Sequence, residues 1–275
     1  MLEIPESKSI SLQIEAVLTG KRISGVITAT SPHKFAWYNG DPADYDKLLA
    51  GKRILSSRGH GMFVDICCED DTFITAGDGT NIRYYPSAEN CPEKFQLKII
   101  FDDNSCILFT VAMYGGIWAC RGELQNPYYQ GSLRSISPLD DAFDKPFFEK
   151  IFGSVTKDLS MKALLATEQR IPGLGNGVLQ DILFNSGLHP KRKKSTLSDF
   201  EKGELFHSLK VTLSTMTENG GRDTERDLFG QSGRYRTILS KNRVDHPCPN
   251  CGGSIVKEAY LGGAVYFCPD CQRLS

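Results

Sequence analysis

The pattern of apolar positions changes character along the chain, and each change marks a change of structure. Between residues 7 and 18, Ile10, Ile14, Val17 and Leu18 recur at helical spacing, and Gly20 follows as a stop; this predicts a helix. From about 20 to 135 the chain becomes a series of short β-rich runs, among them RISGVITAT, HGMFVDICC, DTFITA, KFQLKIIF and SCILFTVAMYGGIWAC. Turn-forming stretches (NGDPAD, EDD, GDGTN, DDNS) separate them, the texture of an antiparallel sandwich or barrel. Residues 136–160 read as a connector with one short helix. Beyond that the pattern is helical again. MKALLATEQ predicts a helix and IPGLGN a tight turn. GVLQDILFNSG is a second helix, with Val178, Leu179, Ile182 and Leu183 on its inner side. Ser198 and Glu201 form a capping box that opens a long helix, which Gly220 and Gly221 close.

The predicted fold class is therefore α+β, in four parts. Residues 1–135 are a β-sandwich domain with its N-terminal helix, 136–160 a connector, 161–240 a helical domain and 241–275 a cysteine-rich module. No internal repeat is present.

Composition narrows the functional classes. Of 275 residues, 40% are apolar and 24% charged, enough to bury a core and unlike a disordered, collagen-like or coiled-coil chain. No apolar run approaches the ~18 residues of a membrane span. The N-terminal MLEIPESKSI carries Glu3 and Glu6 and lacks the apolar centre of a signal peptide, so a cytoplasmic location is expected. Net charge is −1 but unevenly placed: 18 Lys/Arg against 23 Asp/Glu over residues 1–185, then 14 against 10 over 186–275. The second part is the basic one, which hints at a polyanionic partner. Lys191–Lys194, KRKK, adds to that hint and also fits a solvated loop.

The nine cysteines divide in two. Cys67, Cys68, Cys91, Cys106 and Cys120 are scattered through strand-like segments, as small core residues are. Cys248 and Cys251 (CPNC) and Cys268 and Cys271 (CPDC) form two pairs with 16 residues between them. A two-residue gap aims both thiolates of a pair at one ion, and two pairs complete a closed tetrahedral site for one structural Zn²⁺. Two redox motifs or a pair of disulfides are the alternative reading of the same spacing. The turn GLGN, opening a helix, is a second signal. Gly173 and Gly175 allow close backbone approach to a phosphate, the helix N-terminus supplies a positive dipole end, and Asn176 a side-chain donor. A tight helix–helix turn is the structural alternative.

In this order the motifs resemble the Fpg/Nei family of DNA glycosylases. Its members open with Met-Pro-Glu-Leu-Pro-Glu, against Met1-Leu2-Glu3-Ile4-Pro5-Glu6 here. Gly173, Gly175, Asn176, Asp181, Leu183 and Phe184 match the family's helix–two-turn–helix, with Leu188-His189-Pro190 following. Gly220, Gly221, Arg226, Asp227, Gly230 and Gly233 match a second stretch, and Cys268 to Gln272 the end of a four-cysteine finger. The resemblance implies a two-sheet β-sandwich domain and a helical domain with a zinc finger, gripping double-stranded damaged DNA as a monomer. The nucleotide is flipped out, an N-terminal proline amine attacks the sugar, and glutamate moves the protons.

Several positions depart from that pattern. Leu2 replaces the proline, and initiator methionine is retained before so large a residue, so the implied nucleophile is the Met1 amine, about 3.5 Å of chain further out. His60 stands for a phosphate-contacting lysine, Gly263 for the finger arginine, and Met113 and Tyr114 for loop arginines. The implied catalytic residues are Glu3, Met1 and Glu6; the implied DNA contacts are Asn176, Gly173, Gly175, His60 and Arg243. Two functions stay open: a glycosylase and abasic-site lyase, or a relative that binds damaged or bent DNA without cleaving it.

Overall fold

The computed structural model describes residues 1–274. Helix α1 (Ile4–Leu18) starts three residues earlier than the apolar spacing predicts, because Pro5 presets the helical φ of the first turn. Nine strands follow: β1 (Ile23–Thr28), β2 (Ala36–Trp37), β3 (Ile54–His60), β4 (Phe63–Cys68), β5 (Thr72–Ala76), β6 (Thr80–Tyr85), β7 (Leu97–Phe101), β8 (Cys106–Val111) and β9 (Gly115–Arg121). They form a five-stranded sheet in the order β2-β9-β5-β4-β3 and a four-stranded sheet in the order β1-β7-β8-β6. All neighbours are antiparallel except β2 and β9. Ile66, Ile74 and Ile117 of one sheet and Ile82, Ile99 and Phe109 of the other meet in one core. The expected sandwich is present.

Three local elements differ from the sequence reading. The NGDPAD segment is more than a turn: Asp41 caps a 3₁₀ turn at Pro42–Asp44 that leads into α2 (Tyr45–Leu49). A helix, α3 (Pro127–Arg134), lies inside the stretch read as β-rich, capped by the Asn126 side chain. It covers the outer face of the larger sheet, where Tyr129 packs with Phe63 and Phe73, so β4 is buried on both faces. The predicted MKALLATEQ helix is a short, wide π-type turn at Ala163–Thr167.

The helical half contains α4 (Lys145–Gly153) in the connector, α5 (Asn176–Asn185) and α6 (Asp199–Glu218). Val178, Leu179, Ile182 and Leu183 are buried as predicted, against Leu205, Leu209 and Leu213 of α6. The capping box at Ser198 and Glu201 is formed in both directions. β10 (Val256–Tyr260) and β11 (Gly263–Phe267) make a hairpin between the two cysteine pairs. Helix α1 serves both halves. Leu2, Ile10, Ile14 and Leu18 belong to the sandwich core, while Ile4 packs into the helical core. No helix among the described residues is long and apolar enough to cross a membrane.

Candidate functional site

The N-terminal segment meets the start of α5. Glu3 is extended, and its carboxylate accepts hydrogen bonds from the backbone N–H groups of Gly177 (2.9 Å) and Val178 (2.8 Å). A helix leaves its first N–H groups without partners, and an anion at that end is favoured by the dipole. Here the protein supplies that anion itself. The turn is equally self-satisfied: Gly173 N–H donates to Gln169 Oε1, and Leu174 N–H to the Ile171 carbonyl. Gly173 carries φ +78°, and a Cβ there would lie 2.2 Å from the Gly61 carbonyl carbon. A Cβ on Gly175 would meet Glu3 Oε1 at 2.5 Å. These glycines make room for the chain's own loop and carboxylate.

Arg222 sits beneath this junction, 2% exposed. Its Nε and Nη2 donate to Glu6 Oε1 and Oε2 at 2.9 and 2.8 Å, its backbone N–H to Oε1 at 3.1 Å, and its Nη1 lies 3.5 Å from Glu3 Oε2. Burial opposes the guanidinium charge, but the two carboxylates outweigh it and hold Arg222 protonated above its ordinary range. Burial pushes the Glu3 carboxyl up, against the pull of Arg222 and of the two amide donors. Glu6, implied as catalytic, has both oxygens engaged by Arg222. The terminal amine of Met1 pairs with Glu225.

Met1, Glu3, Asn176, Gln180, Arg222 and Glu225 line one open cleft of about 220 Å³. The Asn176 Nδ2 donates to the Ala264 carbonyl (2.9 Å) and its Oδ1 accepts from Gln180, so it ties α5 to the β10–β11 hairpin. His60 does not line that cleft. Its ring nitrogens lie 3.1 Å from Asp65 Oδ2 and 3.0 Å from Ser132 Oγ, and the ring packs between Phe63 and Tyr129. Arg243 donates from Nε to the Thr237 carbonyl and lines a neighbouring cavity of about 430 Å³ with Arg236 and His246. Asp181 is fully buried and receives the N–H groups of Ile238 and Leu239 (2.9 and 2.8 Å). Arg226 and Asp227 close their own turn, through the Gly230 carbonyl and the Phe229 and Gln231 N–H groups.

The four finger sulfurs lie within 4.8 Å of one another, with Cys248–Cys271 at 3.7 Å and Cys251–Cys268 at 3.5 Å. A tetrahedron with Zn–S bonds of ~2.3 Å has edges of about 3.8 Å, so the donor set fits a four-sulfur metal centre. The Gln272 side chain ties this module to the helical domain. It accepts from Cys268 N–H (3.0 Å) and donates to the Leu188 carbonyl (2.9 Å).

No protein-family model matches the chain. It is 27% identical over 281 residues to the formamidopyrimidine-DNA glycosylase of Pelotomaculum thermopropionicum, with 100% of both chains covered. The Brevibacillus brevis formamidopyrimidine-DNA glycosylase is 25% identical over 287 residues, covering 99% of each. The solved structure of Lactococcus lactis Fpg with abasic-site DNA matches with a TM-score of 0.83 at 21% identity, over 98% of this chain and 99% of that one. MutM (Fpg) from Thermus thermophilus matches at 0.80 and 24%, over 98% of each. The chain therefore shares the fold of the Fpg structures and is similar along its whole length to the formamidopyrimidine-DNA glycosylases. Leu2, where the family pattern has proline, is 3% exposed and belongs to the sandwich core with Ile10. A side chain at Gly263, the finger arginine's position, would begin 3.4 Å from Lys162 Nζ and 3.7 Å from Asn176 Nδ2. Lys162 is 4% exposed, donates to the Tyr260 carbonyl (2.6 Å) and is held below its usual pKa by burial. Sequence reasoning missed Lys162, Arg222 and Glu225. Only Arg222 had a local signal, its place directly after the noted Gly220-Gly221.

Proposed function

We propose that this protein binds double-stranded DNA at damaged or abasic nucleotides and acts there as a glycosylase and abasic-site lyase of the Fpg/Nei type. The observation that carries this reading is the seating of Glu3 on the Gly177 and Val178 amides, in one cleft with the Met1 amine and Asn176. The relatives' names and the abasic-site DNA in the L. lactis complex support it. In this reading the Met1 amine attacks C1′ of the opened sugar, water leaves as the imine forms, and Glu3 moves protons. An amine is the nucleophile such an imine requires. Glu6 acts through Arg222, holding it beneath Glu3. Asn176, Arg243 and the Gly173–Gly175 turn stand on the DNA side; His60 supports the hairpin behind them.

One Zn²⁺ held by Cys248, Cys251, Cys268 and Cys271 keeps the finger folded, with no open position for substrate chemistry. The protein acts as a monomer in the cytoplasm; light scattering of the free and DNA-bound chain tests the first of these.

A second reading has its own support. Glu225 occupies the Met1 amine and Arg222 claims both N-terminal acids, an arrangement suited to binding without cleavage. Borohydride trapping on abasic-site duplex, with intact-mass analysis of the terminal residue, separates the two. Trapping that maps to Met1 and is lost in Glu3→Gln with binding retained supports the lyase. Tight binding without trapping supports the second reading, and no binding at low salt refutes both.

A further inference from the structure

Asp65, His60 and Ser132 stand in a row outside the cleft described above. Asp65 Oδ2 lies 3.1 Å from His60 Nε2, and His60 Nδ1 lies 3.0 Å from Ser132 Oγ. The fold sets this row. His60 ends β3 and Asp65 lies in β4, joined by the tight Gly61-Met62 turn. Helix α3 presents Tyr129 and Ser132, one turn apart on the same face, to Asp65 and His60 respectively. Ser132 is held close against the turn: a Cβ on Gly61 would fall 2.4 Å from Ser132 Oγ.

The partners fix the hydrogen on the ring. Asp65 is fully buried; its Oδ2 also accepts from Arg58 Nε (2.9 Å) and the Tyr129 hydroxyl (2.9 Å), and its Oδ1 from the Thr75 hydroxyl (2.6 Å). Burial pushes the carboxyl up, but the bonds from His60, Thr75 and Arg58 outweigh it and hold Asp65 below its ordinary range. Arg58 already supplies the positive charge that the buried acid needs, so His60 is not required as a cation. An ionised carboxylate only accepts. In a neutral His60 the hydrogen is therefore on Nε2, and Nδ1 is bare toward Ser132. Acid, base and hydroxyl are then related as they are in an activated serine nucleophile, with the two ring nitrogens exchanged relative to the common arrangement.

The row opens onto a cavity. His60 and Ser132 line a space of about 210 Å³ whose walls include Ile4, Leu133, Ile136 and Leu139, with Lys8 at the same site. None of these residues lines the cleft that holds Met1 and Glu3. The apolar walls suit a short acyl chain, and the Lys8 ammonium suits the oxyanion that forms when a carbonyl is attacked. We propose that Ser132, with His60 as its base and Asp65 positioning the ring, hydrolyses short-chain carboxylic esters at this cavity. Ser132 Oγ bonds to the carbonyl carbon as its proton passes to His60 Nδ1. The ester C–O bond then breaks, and the alcohol leaves with that proton. Water attacks the acyl-serine and gives a proton to Nδ1; the acid departs as Ser132 Oγ recovers that proton. The site needs no DNA and stands apart from the functional reading above.

The test uses the full chain with p-nitrophenyl butyrate and with a fluorophosphonate, which loses fluoride to an activated serine. Release of p-nitrophenol is expected, with one phosphonyl group mapped to Ser132. Ser132→Ala and His60→Asn are each expected to lower kcat/KM for the ester by about a hundredfold or more. Ser132→Ala leaves binding of abasic-site duplex unchanged. Labelling of the parent chain decides the matter where a variant fails to fold. Asp65 is read without a variant: nitrogen NMR of His60, assigned by its loss in His60→Asn, should show Nε2 protonated and Nδ1 bare in the neutral ring. A fluorophosphonate that labels the chain elsewhere or nowhere, or ester hydrolysis that survives Ser132→Ala, overturns the site. A hydrogen on Nδ1 of the neutral ring overturns the positioning by Asp65.

Discussion

Arg222 and Glu6 are joined as a fork, Nε to Oε1 at 2.9 Å and Nη2 to Oε2 at 2.8 Å, out of contact with solvent and 216 residues apart in the chain. The same guanidinium faces Glu3 through Nη1. Two buried acids are thus compensated by one buried base, and the N-terminal segment is locked to the residues that follow α6.

Removing the base strands both acids. Arg222→Leu is expected to cost about 3–5 kcal/mol, the usual penalty for leaving buried charge unpaired, read as a lower denaturation midpoint. Arg222→Lys keeps the charge but not the fork and should fall between. A Leu variant as stable as the parent would show that the acids become neutral or hydrated at no cost.

Glycine positions divide sharply. A Cβ on Gly177 would lie 1.5 Å from Arg222 Nη1 and 2.9 Å from Glu3 Oε1, so Gly177→Ala should destabilise by about 1–3 kcal/mol through overpacking. Gly203, inside α6, has only Lys145 Nζ near, at 3.8 Å. Gly203→Ala should stabilise by roughly 0.5–1 kcal/mol, because it lowers the entropy of the unfolded chain. Thermal melts of both variants check the opposite signs.

Chelation should act through Gln272. Stripping the metal, or Cys251→Ser, frees the module that Gln272 joins to Leu188, and the loss should reach the helical domain. Amide exchange at Leu188 and along α5 should rise with metal loss and recover on adding Zn²⁺. Exchange that changes only beyond residue 245 would limit the metal's role to the finger.

Acid dependence should carry the mark of Asp181. Burial lifts its carboxyl to about 6, against the opposing pull of the Ile238 and Leu239 amides; the unfolded chain releases the same proton near ~3.9. The folded state therefore binds more protons between those values. This contribution is fully present below about pH 4 and is lost by about pH 6, a change on the order of 2–3 kcal/mol. Glu3, raised by the same cause, adds in the same direction. Urea midpoints across that range should fall with rising pH less steeply in Asp181→Asn than in the parent.

Much of this fold is written locally. The Ser198 and Glu201 capping box, the apolar spacing of α5 and the alternation of runs and turns each determine their element within a few residues. The cysteine site is legible for the same reason: two short turns settle its geometry before any long-range contact forms. α3 escaped because its burial comes from the far side of a sheet, where Phe63 and Phe73 accept Tyr129. The glycines of the α5 turn were legible as close-approach positions, but what approaches them is Glu3 and Gly61, from distant sequence. Arg222, Glu225 and Lys162 are invisible for the same reason. Each is defined by a partner roughly 100 to 220 residues away, and no spacing rule connects them.

Helix α1 has its ends in different cores, with Ile4 among the helical residues and Ile10, Ile14 and Leu18 within the sandwich. Mechanically it is an axle through the two halves, and points on an axle travel least when the bodies around it turn. Glu3 and Glu6 lie at that still centre. Any turning of one half against the other would therefore disturb least the acids' hold on Gly177, Val178 and Arg222. Amide exchange at Gly177 and Val178 should accordingly stay slow under conditions that loosen the cleft's lining at Thr224 and Lys241. Fast exchange at both amides in the folded protein would mean that the axle slips.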